Sequence, residues 1–209
     1  MIDLSASLAP RLMAASRSFA ETVVQRLDFG DRITLVEMLQ IGVGDTAARW
    51  SHRMPVPLDS GDPTTREETA LEGARRSGLR ILRLIYGEPT DGRAMHTDIF
   101  RTLHIAAEYV RIEPDMPTVL MLLSDMLQSA NGVEMARKVP GREWIDEQQR
   151  AGLIPRMTGT CVVVVGADPT TAQGVRVREF WREYFRIAGA RLDPANYRTT
   201  PPDEVPDCR

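Results

Sequence analysis

Several residues that often announce a function are scarce in this chain. Lysine is nearly absent: of 26 basic residues only Lys138 is a lysine, so a mechanism needing a lysine amine has one candidate. The three histidines, His52, His96 and His104, form no site by their spacing. Two cysteines, Cys161 and Cys208, are too few for a disulfide framework and lack the clustering of a zinc site. They read as one core thiol and one tail thiol. No apolar run approaches the ~20 residues that cross a bilayer, and Met1-Ile2-Asp3-Leu4-Ser5 has neither the charged nor the apolar region of a secretory leader. A basic excess is missing too, since a formal net charge of −3 gives no general field for nucleic acid or anionic lipid. Phosphate-binding glycine motifs are absent, and Gly42-Val43-Gly44 is followed by Asp45, which repels phosphate. There is no G-x-S-x-G elbow for serine hydrolysis.

What is present is the composition of a packed domain. The 209 residues are 43% hydrophobic and 26% charged, which fits one globular unit with a single core. Leu12, Phe19, Val23 and Leu27 share one face of an amphipathic helix that Gly30-Asp31 ends. Arg32 to Ile41 reads as a strand covered on both faces, and Ala48 to Val56 as an edge strand limited by Pro55. Thr65-Arg66-Glu67-Glu68 fits a capping box for a helix running to Tyr86, and a further helix starts near Thr97-Asp98. Thr118 to Leu123 and Thr160 to Val165 are apolar runs that stop abruptly at polar residues, as buried parallel strands do. A final helix, capped by Thr170 or Thr171, carries Val177, Phe180, Trp181, Tyr184, Phe185 and Ala188 as a stripe facing the sheet. Trp144, between the last two strands, covers a sheet edge or belongs to a partner surface. Alternating strands and helices imply an α/β domain over residues 1–192 with a mostly parallel sheet, followed by a Pro/Asp-rich tail over 193–209.

In such sheets ligands sit outside the carboxyl ends of the strands. The residues there are Asp3, Ser5 and Ser7, Thr97, Ser124 and Asp125, all oxygen donors and two of them carboxylates. That set suits a hard cation, Mg²⁺ or Mn²⁺. Asp3-Leu4-Ser5-Ala6-Ser7 resembles the DxSxS element of von Willebrand factor A domains, where a divalent cation occupies the metal-ion-dependent adhesion site. Thr97 and Asp125 match that family's separate threonine and later aspartate. The resemblance implies a three-layer α/β/α Rossmann-like sandwich, with Ser5, Ser7 and Thr97 as inner ligands and Asp3 and Asp125 supplying charge and orientation. It further implies a binding module, not an enzyme, that captures an Asp or Glu of a protein partner through the metal. Many members of the family carry glycine after the later aspartate, where this chain has Met126.

Other readings compete. A scaffolding domain with a vestigial metal site is the first alternative, and a metal-dependent hydrolase the second. The haloacid dehalogenase type of phosphatase requires a second acid where this chain has Ser5 and a lysine for which only Lys138 is available. In the plainest reading Asp3 and Ser5 cap the first helix, Thr97 caps another, and Asp125 ends a strand. Only two residues precede Asp3, whereas a buried strand needs about five. The central strand is therefore expected to be a stub, or its opening residues to lie upstream of Met1. As written the chain reads as cytoplasmic, and an upstream signal segment would move it outside.

Overall fold

The computed structural model describes residues 1–5, 9–38, 48–58, 62–87 and 96–206. In chain order its elements are α1 (Pro10–Arg26), β1 (Arg32–Val36), β2 (Ala48–Arg53), α2 (Thr65–Gly87), α3 (Ile99–Ile112), β3 (Thr118–Leu123), β4 (Ser129–Ala130), β5 (Val133–Glu134), α4 (Arg142–Arg150), β6 (Thr160–Val165), α5 (Ala172–Ala188) and β7 (Arg191–Arg198). β3, β6 and β7 form a parallel sheet with β6 in the middle. β1 pairs antiparallel with β2, and β4 with β5. The protein is thus mixed α/β, with five helices and a parallel three-stranded sheet among the described residues.

Residues 1–3 connect the β1–β2 pair to the parallel sheet. Ile2 makes single parallel bridges to Glu37 and to Leu123. The Ile2 N–H donates to the Val36 carbonyl and the Met38 N–H to the Ile2 carbonyl, each at 2.8 Å. On the other side Leu123 N–H donates to the Met1 carbonyl and Asp3 N–H to the Leu123 carbonyl, each at 2.9 Å. The three residues bridge by alternation: Ile2 bonds on the β1 side, and Met1 and Asp3 on the β3 side. Side chains alternate between two cores, as strand pleating requires. Leu120, Leu122, Val162 and Val164 pack with α3 and α5, while Leu123, Val163 and Val165 pack with Phe19 and Val24 of α1 and Leu82 and Ile85 of α2. All six residues of β6 are buried, and each valine contributes about 1.5–3 kcal/mol on burial.

The last helix is fixed at both ends. The Thr171 hydroxyl accepts the Gly174 N–H at 3.0 Å, and Gly189 stops the helix at φ 81°. The whole stripe from Val177 to Ala188 is buried, so it faces the sheet. Trp144 joins it: α4 brings the half-buried indole into an aromatic cluster, with ring centroids 5.1 Å from Phe100 and 5.8 Å from Phe180.

Other expectations shift. The capping box lies one residue earlier, with the Thr64 N–H and hydroxyl donating to Glu67 (each 2.7 Å) and the Glu67 N–H returning to the Thr64 hydroxyl (3.3 Å). A helix starting at Thr65 makes Thr64 its cap and Glu67 the third residue. β1 ends at Val36, short of the expected Ile41, and residues 39–41 lie outside the described set. A tail starting at Asp193 would cut β7, whose Leu192 and Tyr197 are buried against β6 despite Pro194. Cys161 is not a free thiol: it is disulfide-bonded. The other cysteine of the sequence, Cys208, lies outside the described residues.

Candidate metal centre

Asp3 stands where residues 1–3 leave the sheet, and it is only 2% exposed. Oδ1 accepts the Ser5 N–H at 2.9 Å and, more distantly, the Thr97 hydroxyl at 3.4 Å. Oδ2 accepts the Ser124 hydroxyl at 2.7 Å. Residues at the ends of three separate segments thus meet on one carboxylate. Burial first, and then the negative charge of Asp125, push the Asp3 carboxyl above its ordinary range, while hydrogen bonds from Ser124 and Ser5 pull the other way. Two carboxylates held near each other in a largely dry place favour a positive charge between them.

Each partner is held by its own local structure. The Thr97 N–H donates to the Ser129 hydroxyl at 2.8 Å, and the Thr97 carbonyl accepts from Ser129 N–H at 3.0 Å. The N-cap of α3 is Asp98, which accepts the Arg101 N–H at 3.1 Å, so the Thr97 hydroxyl is left to face Asp3. The buried Gln128 ties the two segments together: its Oε1 accepts the Ile99 N–H (2.6 Å), and its Nε2 donates to the Ala130 carbonyl (3.2 Å). Asn131, at φ 54° in the β4–β5 turn, donates to Asp98 at 2.6 Å. Such closed polar networks fix side-chain position because breaking one bond strands a buried partner.

The loop after β3 is shaped around Asp125, which accepts the Leu127 N–H at 2.9 Å. Met126 has φ 65°, the left-handed region that glycine tolerates and other residues seldom enter. It is fully buried, its N–H donates to the Ser124 hydroxyl (3.0 Å), and its carbonyl accepts the Trp181 indole N–H (2.9 Å). Tyr197 of β7 is buried with no partner for its hydroxyl among the described residues, and burial, followed by the charge of Asp125, raises its pKa.

Four of the five sequence candidates, Asp3, Ser5, Thr97 and Asp125, fall at this spot; Ser7 lies outside the described residues. Two parts of the plainest reading fail, since the N-cap of α1 is Ala9 with no side-chain cap and Asp98 takes the role given to Thr97, while Asp125 does follow the end of β3. His96 is exposed, His52 stacks on Trp50 at 5.4 Å, and His104 meets the Leu153 carbonyl at 3.0 Å. Sequence reasoning missed Gln128, Ser129 and Asn131. The dipeptide Asn131-Gly132 was a hairpin signal that could have found the turn. No cluster of three or more His, Cys, Asp or Glu side chains able to hold a metal occurs among the described residues, so any cation here relies on hydroxyls beside two carboxylates. None of the helices among those residues is long and apolar enough to cross a membrane. No protein-family model, curated protein or solved structure matches the chain.

Proposed function

We propose that the chain is a von Willebrand A-type domain, a three-layer α/β/α sandwich, that binds Mg²⁺ or Mn²⁺ and through it an Asp or Glu of a protein partner. The carrying observation is the buried Asp3 carboxylate receiving Ser5, Thr97 and Ser124 while Asp125 raises its pKa. The donor chemistry fits a hard cation, since every candidate is oxygen and the two carboxylates balance a double charge. A bound cation would supply a positive centre open to one oxygen from outside. Ser5 and Thr97, with Ser7 by resemblance, would hold it. Asp3 would orient them, and Asp125 would add charge from the loop that Met126 and Trp181 shape. Neutral hydroxyl donors leave a cation short of negative charge, which favours an acidic group from a partner. The activity is recognition, without turnover.

The test is thermal unfolding with and without millimolar Mg²⁺ or Mn²⁺. Wild type should melt higher with the cation, and Asp125→Ala should not respond. An unresponsive wild type would overturn the cation reading. The alternative is a scaffolding domain with a vestigial site. That alternative requires the same unresponsiveness together with unchanged partner binding in Asp125→Ala.

A further inference from the structure

A surface hollow of about 490 Å³ opens between the segment after β5 and the first turns of α5. Arg137 and Lys138, the latter the only lysine of the chain, come from the first segment, and Arg176 comes from the helix. Met135 and Val139 add apolar wall, and no acidic side chain lines the hollow. Gln173 fixes the two segments to each other, its Nε2 donating to the Met135 carbonyl at 3.1 Å and to the Ala136 carbonyl at 2.9 Å. The turn that presents Arg137 and Lys138 is closed by their own N–H groups, both donating to the Glu134 carbonyl at 3.0 Å. Elsewhere on α5 arginine is matched with acid: Arg178 and Arg182 pair with Glu179, and Arg186 with Glu183. Arg176 departs from that pattern. Neither it nor Arg137 nor Lys138 has an ion pair or side-chain hydrogen bond among the described residues. The N-terminal end of α5, a helix of 17 residues, adds positive partial charge. In a chain of net charge −3 this concave spot is thus a local positive field.

We propose that this hollow binds the phosphate monoester of a small organic ligand, whose body rests on Met135 and Val139. The volume lies within the range of small-molecule sites, roughly 300–1,000 Å³, and is more than a bare anion fills. A phosphate monoester carries close to two negative charges near neutral pH and offers three acceptor oxygens, so it can meet three cations at once. A single carboxylate brings one charge and two oxygens, which leaves the hollow under-neutralised. Arginine forks take phosphate oxygens in pairs, whereas lysine acts as a point charge. Arg137 and Arg176, held on different segments, grip the group from two directions, and Lys138 balances the remaining charge. The apolar walls give the ligand's organic part a place that an ion alone would leave to water. The proposal is independent of the cation reading, since the hollow is built of cations and needs no metal.

The probe is phenyl phosphate, titrated calorimetrically into the full chain in buffer stripped of divalent cations, so that a metal at Asp3 cannot hold the phosphate. Saturable binding to one site is expected, weakening as sodium chloride is raised. Arg176→Gln should bind about tenfold more weakly, having lost one charge-assisted hydrogen bond. Replacing Arg137 and Lys138 together by Gln should abolish binding. All three side chains are exposed, so the melting temperature should not move in either variant. Arg182→Gln removes the same charge from the same helix outside the hollow, and should bind as wild type does. Absence of saturable binding at millimolar phenyl phosphate overturns the proposal, as does an equal loss in Arg182→Gln and Arg176→Gln. Phthalate binding as tightly as phenyl phosphate overturns the phosphate assignment. A phosphoserine peptide that binds where phenyl phosphate does not overturns the small-molecule source.

Discussion

Residues 1–5 run from one kind of surroundings into another. At the carboxyl end, Asp3 is buried among hydroxyls and amides, and each nearby segment is tied to the next by side-chain hydrogen bonds. At the amino end, the same line opens onto a cavity walled by Phe19, Val23, Ala106 and Tyr109, with Arg32 and Glu113 also in its lining. The polar end is over-determined: Asp3, Ser124, Met126 and Trp181 form one chain of contacts, and moving any of them disturbs the others. The apolar end is under-filled, and its groups can take on new neighbours. Substitutions should therefore destabilise the first end and can stabilise the second.

The largest effect should come from Trp181→Ala. It removes a fully buried ring and the donor to the Met126 carbonyl, costing about 3–5 kcal/mol by urea unfolding. A cost below about 1 kcal/mol would break the picture of an over-determined loop. Reduction of the Cys161 disulfide should cost about 2–4 kcal/mol, read as a lower melting temperature in reducing buffer. Asp3→Ala leaves the Ser124 hydroxyl and Ser5 N–H without their acceptor, a loss of about 1–3 kcal/mol.

Asp125→Asn should act in the other direction when divalent cations are absent. The Asp3 carboxyl is raised in the folded state, so its contribution to stability is present below the ordinary carboxyl range and is lost as pH rises through the raised value. Removing the Asp125 charge lessens that loss. The advantage of Asp125→Asn over wild type should be absent at low pH and grow as pH rises through the raised Asp3 value, measured by denaturant unfolding across that range. An advantage that shrinks as pH rises would contradict the assigned repulsion. The smallest effect belongs to the apolar end: Ala106→Val adds buried methyl groups where there is room, and should gain roughly 0.5–1 kcal/mol.

Much of this was legible in the chain because it depends on local pattern. The runs Thr118 to Leu123 and Thr160 to Val165 read as buried strands, and β6 is buried throughout while β3 is buried at Leu120, Leu122 and Leu123; the stripe on α5, which by spacing suited a sheet better than a partner groove, is buried. Asp3, Ser5, Thr97 and Asp125 were found by motif and order, and their convergence on one carboxylate follows from the parallel strands that carry them. What stayed hidden depends on neighbours. β7 contains Pro194 and three charged residues and looks like a tail, yet β6 supplies its ladder. α4 is mostly polar, and only Ile145 is buried. Met126 gave no hint of a positive φ, because that conformation is held by Trp181, 55 residues away.

The contacts on Asp3 also carry a kinetic consequence. Its bond to Ser124 spans 121 residues of chain and that to Thr97 spans 94. Contacts of such long sequence separation form only after the loop entropy of the intervening chain has been overcome. The hydroxyl–carboxylate cluster should therefore assemble among the last events of folding, and any opening that frees residues 1–3 from the sheet dismantles it before the two cores are disturbed.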